Sequence, residues 1–595
     1  LTRANAPSAP SVEPLAPQPK VILQNEGVVA PSDEPQFDVV WPVGPKHVDR
    51  DDLPERLKSL DGVVVAELWD YLFKGDKAFP ILRERLRKEF PNITFVEFPV
   101  FGNIHGPDEI EVVARLPETL RAHGVDAVIC GVGHCGSCTA ATIRASFAAE
   151  KGGFPTVSIL GSLFTGQAKL LSDMFGVEGL PTAVYPGRIP MDDDETFYEK
   201  VYGVLADQVI AGLTGAKPRL TQSEAEPKPR EVIFRGTLEE VERRFYDNRW
   251  TDGLPIVPPT IGRVEAFLRH TDKAPEEVLG VFQPDWRDAT VWSVAVIGAM
   301  AGCRPEYMPV LTAITEALAE PDFRIADCAS GAAWEPLVTV SGPIIKQLDF
   351  NYSTGVGRIG RHANSSIGRF QRLLLRNVAG LRPGMTEKGG IGQNFFVAMA
   401  EDEDAVREIG WPTLGEEDGV PAGQSGITAQ GILAASVPMG EYEYGGDSDN
   451  PYTYLRPLVE FFGKGVATYW IHCGITYGGY FPLIVLSPHC ARVLGKHRWT
   501  KDDVRQYLYD ESRMPGRPIL GRGLYTGMDL KAAVESGRVS RDFLKSDDPD
   551  RLLPTLLNPE STRIIVAGNP DMYWQRGYIS NHVHGKPTMK VVRTV

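Results

Sequence analysis

Cys135 and Cys138 stand three apart in Gly131-Val132-Gly133-His134-Cys135-Gly136-Ser137-Cys138-Thr139. Two thiols at that spacing suit attack and resolution. The first bonds to an electrophile or a disulfide, and the second releases it as an internal disulfide. The run before them, Ala127–Cys130, is apolar and β-branched at Val128 and Ile129, which predicts a buried strand. The run after them, Ala140–Glu150, is rich in Ala with Ile143 and Phe147 four apart, which predicts a helix. Both cysteines therefore fall in a strand-to-helix turn. Unpaired N–H groups and the helix dipole favour a thiolate there and lower its pKa. Flanking glycines let the backbone turn tightly and let another molecule approach the sulfur.

Two histidines could serve this thiol as acid or base. His134 precedes it directly, and His105 lies in the Gly-flanked loop Phe101–Gly106 with Asn103. Ser137, Thr139 and Asn103 are candidate substrate contacts, and Thr139 also suits a helix cap. The same residues admit a second reading, a zinc-type hydrolase or lyase with Cys135, Cys138, His134 and His105 as ligands. No second C-x-x-C accompanies them, and no metal ligand set is assigned. A third reading is a non-catalytic binding or assembly protein with inert, buried thiols.

A second group of candidates lies further on. Gly302-Cys303-Arg304-Pro305-Glu306-Tyr307 combines a thiol with a Pro-fixed loop bearing charge and a phenol, suited to orienting a ligand. Arg358, Arg361, His362 and Asn364 precede a helix predicted over Ser366–Asn377, where donors could hold a carboxylate or phosphate. Gly355–Gly360 fits G-x-G-x-x-G formally, but follows no clear buried strand and lacks the acidic residue expected beyond it. No cofactor is therefore expected. His472-Cys473, His489-Cys490 and His582-x-His584 pair ligand types without a third ligand nearby in sequence.

The elements that must position the cysteines alternate. Strands are predicted at Gly62–Tyr71, Ile93–Phe101, Ala127–Cys130, Pro155–Leu160 and Thr182–Tyr185. Helices are predicted at Ala78–Phe90, Ile110–His123, Gln167–Phe175 and Asp193–Leu213. Repeated βαβ units imply a parallel sheet covered on both faces, with ligands beyond the carboxyl ends of its strands. The Cys turn and the His105 loop share that edge and could face one crevice. The fold class is α/β: an N-terminal parallel-sheet βαβ domain, then a larger α+β or α/β region. Residues 1–35 read as a disordered or arm-like tail, 36–214 as the Cys domain, 215–230 as a linker and 231–595 as a substrate-holding region.

Composition narrows the class. With 595 residues, 43% hydrophobic and 23% charged, the chain is an ordinary globular protein of several domains. A net charge of −15 without a Lys/Arg block argues against nucleic acid as a partner. No apolar run is long enough to cross a membrane, and the start shows no secretory h-region. Seven irregularly spaced cysteines make no disulfide framework, so a reducing, cytoplasmic setting is expected. The expected partners are a small-molecule substrate, an external thiol reductant and further copies of the chain as a homo-oligomer.

The segment Gly131–Phe164 resembles the UGSC family of selenoproteins and their cysteine homologues. The family motif, Sec/Cys-Gly-Ser-Cys-Thr between strand and helix, stands here as Cys135 to Thr139. More distantly the segment is similar to the selenoprotein subunit of glycine reductase, where the position matching Cys135 carries selenium and attacks a substrate carbon. The second region resembles a bacterial module that accompanies UGSC-type domains, through DGLPIVPPT, AVIGAMAGCRPEYMPVL and HANSSIGRFQRLLLRNVAGLRPG. The resemblance implies a cysteine-dependent enzyme with Cys135 as nucleophile on a small activated molecule and Cys138 assisting. Reductive cleavage, hydrolysis and lyase chemistry all stay open.

Overall fold

A computed structural model describes residues 34–47, 53–220, 226–329, 334–387, 389, 391, 397–440, 449–478, 480–521, 528–580 and 585–593. The N-terminal part runs β1 (Phe37–Val40), β2 (Val64–Trp69), α1 (Gly75–Glu89), β3 (Thr94–Val96), α2 (Glu109–Ala122), β4 (Ala127–Gly133), α3 (Gly136–Lys151) and β5 (Thr156–Gly161). It continues with α4 (Thr165–Met174), β6 (Val177–Glu178), β7 (Thr182–Tyr185), α5 (Asp194–Lys200) and α6 (Ala206–Thr214).

Five of these strands form one parallel sheet in the order β3-β2-β4-β5-β7, with β4 at its centre. Its residues serve both faces in turn. Ala127 and Ile129 pack with Phe79, Val157 and Val209, while Val128 and Cys130 pack with Leu116, Ala145 and Ala149. A strand buried on both faces reads as an unbroken apolar run, which is how this one announced itself.

The element bounds shift for local reasons. The strand predicted at Ile93–Phe101 shortens to Thr94–Val96, because Pro99 lacks an N–H and the chain turns through Phe98–Val100. The helix predicted from Ala140 begins at Gly136, which puts Cys138 in its first turn rather than in the loop. The helix predicted from Ser366 begins at His362. Of the predicted linker, Arg219–Leu220 pairs with β6, and residues 221–225 lie outside the described set. So do residues 1–33 of the predicted tail. β1, placed by sequence in the first domain, pairs antiparallel with Val232–Gly236, and its Val39 and Val40 join the core of the second region.

That second region is built on a mixed sheet. Its strands follow the order Met399–Ala400, Glu335–Ser341, Ser425–Ala435, Gln575–Ser580, Leu483–Leu486, Arg563–Val566, and Thr588–Val592 also pairs Ser425–Ala435. The helix Val291–Met300 is apolar all round and buried at every position, as a central core helix should be. Among the described residues, no helix is long and apolar enough to cross a membrane.

Ion pairs bind the two parts. Glu109, the first residue of α2, accepts from Arg144 of α3 (Nη2, 2.5 Å) and from Arg324 of the second region (Nη2, 2.5 Å). Asp327 completes the square, 3.5 Å from Arg144 and 3.3 Å from Arg324. Two carboxylates face two guanidinium groups, and all four are buried or nearly so. Removing one partner of a buried pair costs about 3–5 kcal/mol, because the opposite charge stays desolvated and unpaired. Arg324→Ala should therefore lower unfolding free energy by about that amount, read by urea denaturation. A loss below about 1 kcal/mol, the value of an exposed pair, would show that the square does not hold the parts together.

Candidate functional site

Cys135 does not merely precede α3; it caps it. The residue is extended (φ −143°, ψ 173°), and its Sγ accepts the N–H of Cys138 at 3.1 Å. This is the role that Ser or Asp oxygens usually fill, and it sets the sulfur against the positive end of the helix. Cys135 and Cys138 are joined as a disulfide with Cα atoms 5.3 Å apart. Cys135 is partly exposed and Cys138 wholly buried. Gly133 makes the turn possible, since a Cβ there would lie 3.0 Å from the Thr139 Cα.

The Cys135 turn and the His105 loop meet in buried contact. Ser137 Oγ lies 3.7 Å from Cys135 Sγ and 3.2 Å from His105 Nε2, and His105 Nδ1 lies 3.1 Å from Glu109 Oε2. Carboxylate, imidazole, hydroxyl and sulfur thus form one chain. Burial pushes the Glu109 carboxyl up, but Arg144, Arg324 and His105 outweigh it and hold it well below the usual range. An ionised carboxylate only accepts, so Nδ1 of His105 carries the proton and Nε2 faces Ser137 as an acceptor. Asn103 shapes the loop, its Oδ1 accepting the His105 N–H at 2.9 Å.

His134 takes another position. Its ring packs against Phe73 (5.3 Å) and Phe164 (5.8 Å), and burial, aided by Arg188, lowers its pKa and keeps it neutral. A Cβ on Gly161 would fall 1.7 Å from its Nδ1, so only glycine leaves room for this ring. No hydrogen bond among the described residues links His134 to Cys135. Thr139 is wholly buried and leaves the cap to Cys135, which corrects its expected capping role.

The second group of candidates assembles elsewhere. Tyr307 Oη pairs with His362 Nδ1 at 3.2 Å. Burial pushes the Cys303 thiol up to about 12, outweighing Ser366 and Arg369 nearby. Arg361 pairs with Asp349 at the surface, and Asn364 braces Asn351 and Ala398. Arg304, Glu306 and Arg358 are exposed. Among the described residues, no hydrogen bond, ion pair or ring contact ties this group to the Cys135 turn. His472 Nδ1 sits 2.8 Å from the Ile519 carbonyl, His489 pairs with Tyr454, and residues 582–584 lie outside the described set.

What the second region does bring is Arg324, Asp327 and the helix Thr468–Tyr477, whose Cys473 and Tyr477 pack with Cys138 and Leu72. Glu109 could have been found, since an acid opening a helix four residues after a loop histidine suits both the dipole and the imidazole. Arg324 and Asp327 carry no such signal. Asp70 ends β2 beside the site, its Oδ1 accepting N–H groups of Val132 (2.9 Å) and Leu72 (3.2 Å). Complete burial outweighs those bonds and pushes its pKa to about 8. Among the described residues, no three His, Cys, Asp or Glu side chains converge as a metal-binding group. Outside the ion square, a cleft of about 360 Å³ opens between the two parts beside Glu109, Arg144 and Arg324.

Fold and site define an α/β protein with a C-x-x-C turn at the carboxyl edge of a parallel sheet, its first cysteine capping the next helix. Residues 38–215 match the model of the UGSC family. No curated protein and no solved structure matches the chain.

Asp70 supplies a pH test. Its folded pKa is raised, so the folded state keeps a proton that the unfolded chain loses near pH ~4. Stability from this group is full below that pH and is lost as pH rises towards about 8. Thermal midpoints of the wild type should fall by several degrees more than those of Asp70→Asn between pH 5 and 8. Parallel profiles would rule out a buried protonated Asp70.

Proposed function

We propose that the chain is a thiol-dependent enzyme that reductively cleaves a small, activated organic substrate, with Cys135 as nucleophile and Cys138 as resolving thiol. The observation that carries this reading is the chain Glu109–His105–Ser137–Cys135, which ends on a sulfur at a helix N-terminus with a second sulfur in bonding contact. In the dithiol form, the Cys135 proton passes through the Ser137 hydroxyl to Nε2 of His105, and Glu109 steadies the resulting imidazolium. The thiolate displaces a leaving group from a substrate carbon, forming a C–S bond. Cys138 gives its proton to the displaced leaving group and attacks the Cys135 sulfur. The C–S bond breaks, the S–S bond forms, and the carbon takes the electron pair and a proton from His105. The two thiols supply both electrons, and an external dithiol restores them. The substrate must stabilise negative charge at that carbon, as a carbonyl neighbour does. The match of residues 38–215 to the UGSC family, whose selenoprotein members carry selenium at the position that Cys135 resembles, supports an attacking chalcogen here.

Iodoacetamide labelling of the reduced, native protein across pH, read per cysteine by mass spectrometry, tests it. Cys135 should label first, with a midpoint well below the free-thiol value of ~8.5. His105→Gln should raise that midpoint, and Cys138→Ser should leave Cys135 fast while trapping its adduct with an α-halo carbonyl. If Cys135 titrates as an ordinary thiol, the inert-thiol reading wins. If both cysteines resist labelling until a chelator is added, the metal reading does.

A further inference from the structure

The helix Thr468–Tyr477 lies far along the chain from the cysteine turn, yet it packs directly on it. Cys473 and Tyr477 are one helical turn apart and share a face. That face joins Leu72 and Cys138 in one buried cluster, with Phe73 and Cys135 at its margin. The Tyr477 ring also lies 5.5 Å from that of His105, so the same face meets both ends of the site. The other cysteines belong elsewhere. Cys130 sits under α2 and α3, and Cys303, Cys328 and Cys490 sit in the core of the second region. Cys473 alone among them shares a cluster with the C-x-x-C pair.

We propose that Cys473 is a third redox thiol, which takes over the disulfide from Cys135 and so returns the nucleophile to its active form without an outside reductant. This rests on the reading of Cys135 and Cys138 as a reactive pair. The exchange is internal and balanced. The Cys473 thiol loses its proton, and its sulfur attacks Cys138 Sγ. A Cys138–Cys473 bond forms as the Cys135–Cys138 bond breaks. The electron pair leaves on Cys135, and the Cys473 proton passes to His105. Cys135 is the favoured leaving sulfur, because the helix N-terminus that stabilises its thiolate also lowers its basicity. Cys138, wholly buried between the other two, is the sulfur that changes partner. The result is a disulfide across the two parts of the chain and a free thiolate at the substrate side. The protein can thus make a second attack before any external dithiol acts.

The test is disulfide mapping of the full chain. The reduced protein is oxidised with diamide, quenched with iodoacetamide and digested without reductant, and linked peptides are identified by mass spectrometry. In wild type, the proposal expects a species with Cys135 alkylated and Cys138 linked to Cys473. In Cys135→Ser the Cys138–Cys473 link should become the main oxidised product. In Cys473→Ser only Cys135–Cys138 should form. If Cys138 and Cys473 are never linked in wild type or in Cys135→Ser, the proposal fails. The wild-type map needs no variant to fold. Failure is distinguishable from that of the underlying reading: fast Cys135 labelling in Cys473→Ser keeps the nucleophile while removing the relay, whereas slow labelling in wild type removes both.

Discussion

Glu109 is the group on which the site and the assembly of the chain both depend. A carboxylate taken out of water is costly unless it is fully partnered. Here two guanidinium groups and one imidazole partner it, and each comes from a different segment: Arg144 from α3, Arg324 from the second region, His105 from the loop before α2. The side chain that fixes the histidine tautomer is therefore the one that clamps the two parts together. Neither arrangement is stable alone. Without the arginines the carboxyl would take up a proton and lose its hold on His105. Without the acid, the guanidinium groups of Arg144 and Arg324 would be left to share the single carboxylate of Asp327.

The sulfur end follows a simpler constraint. β4 must run buried to the sheet edge, and the chain must then reverse into a helix within a few residues. Gly133 permits the close approach of strand and helix, and the helix needs a capping acceptor, which Cys135 supplies. An N–H that satisfies the helix also stabilises charge on the sulfur.

Sequence carried the first domain well because its signals are local. An apolar run, a glycine pair and an Ala-rich helix place Cys135 where it is found, and a family pattern adds to them. Helix starts were misjudged at Gly136 and His362 because caps depend on side-chain geometry that spacing does not record. The meeting of the His105 loop with the Cys135 turn was inferable from sheet topology. Arg324, Asp327 and Tyr477 were not, since they reach the site only through packing between distant segments. Cys303, Arg304, Tyr307 and His362 looked like ligand-binding residues by type. In the second region Cys303 is buried, and Tyr307 bonds to an exposed His362.

The pairing of β1 with Val232–Gly236 has a mechanical meaning. The chain stays against the second body through His47, builds the cysteine-bearing sheet, and returns at the partner strand. The sheet domain is thus an insertion held by two adjacent strands rather than a bead on one string. A unit fastened at two neighbouring points can swing about the line through them, but it cannot twist freely or wander. α3 packs against the turn at Ile325–Ala329 of the second body. The register of three cysteines from two bodies is in this way set by the path of the backbone before any side chain meets another.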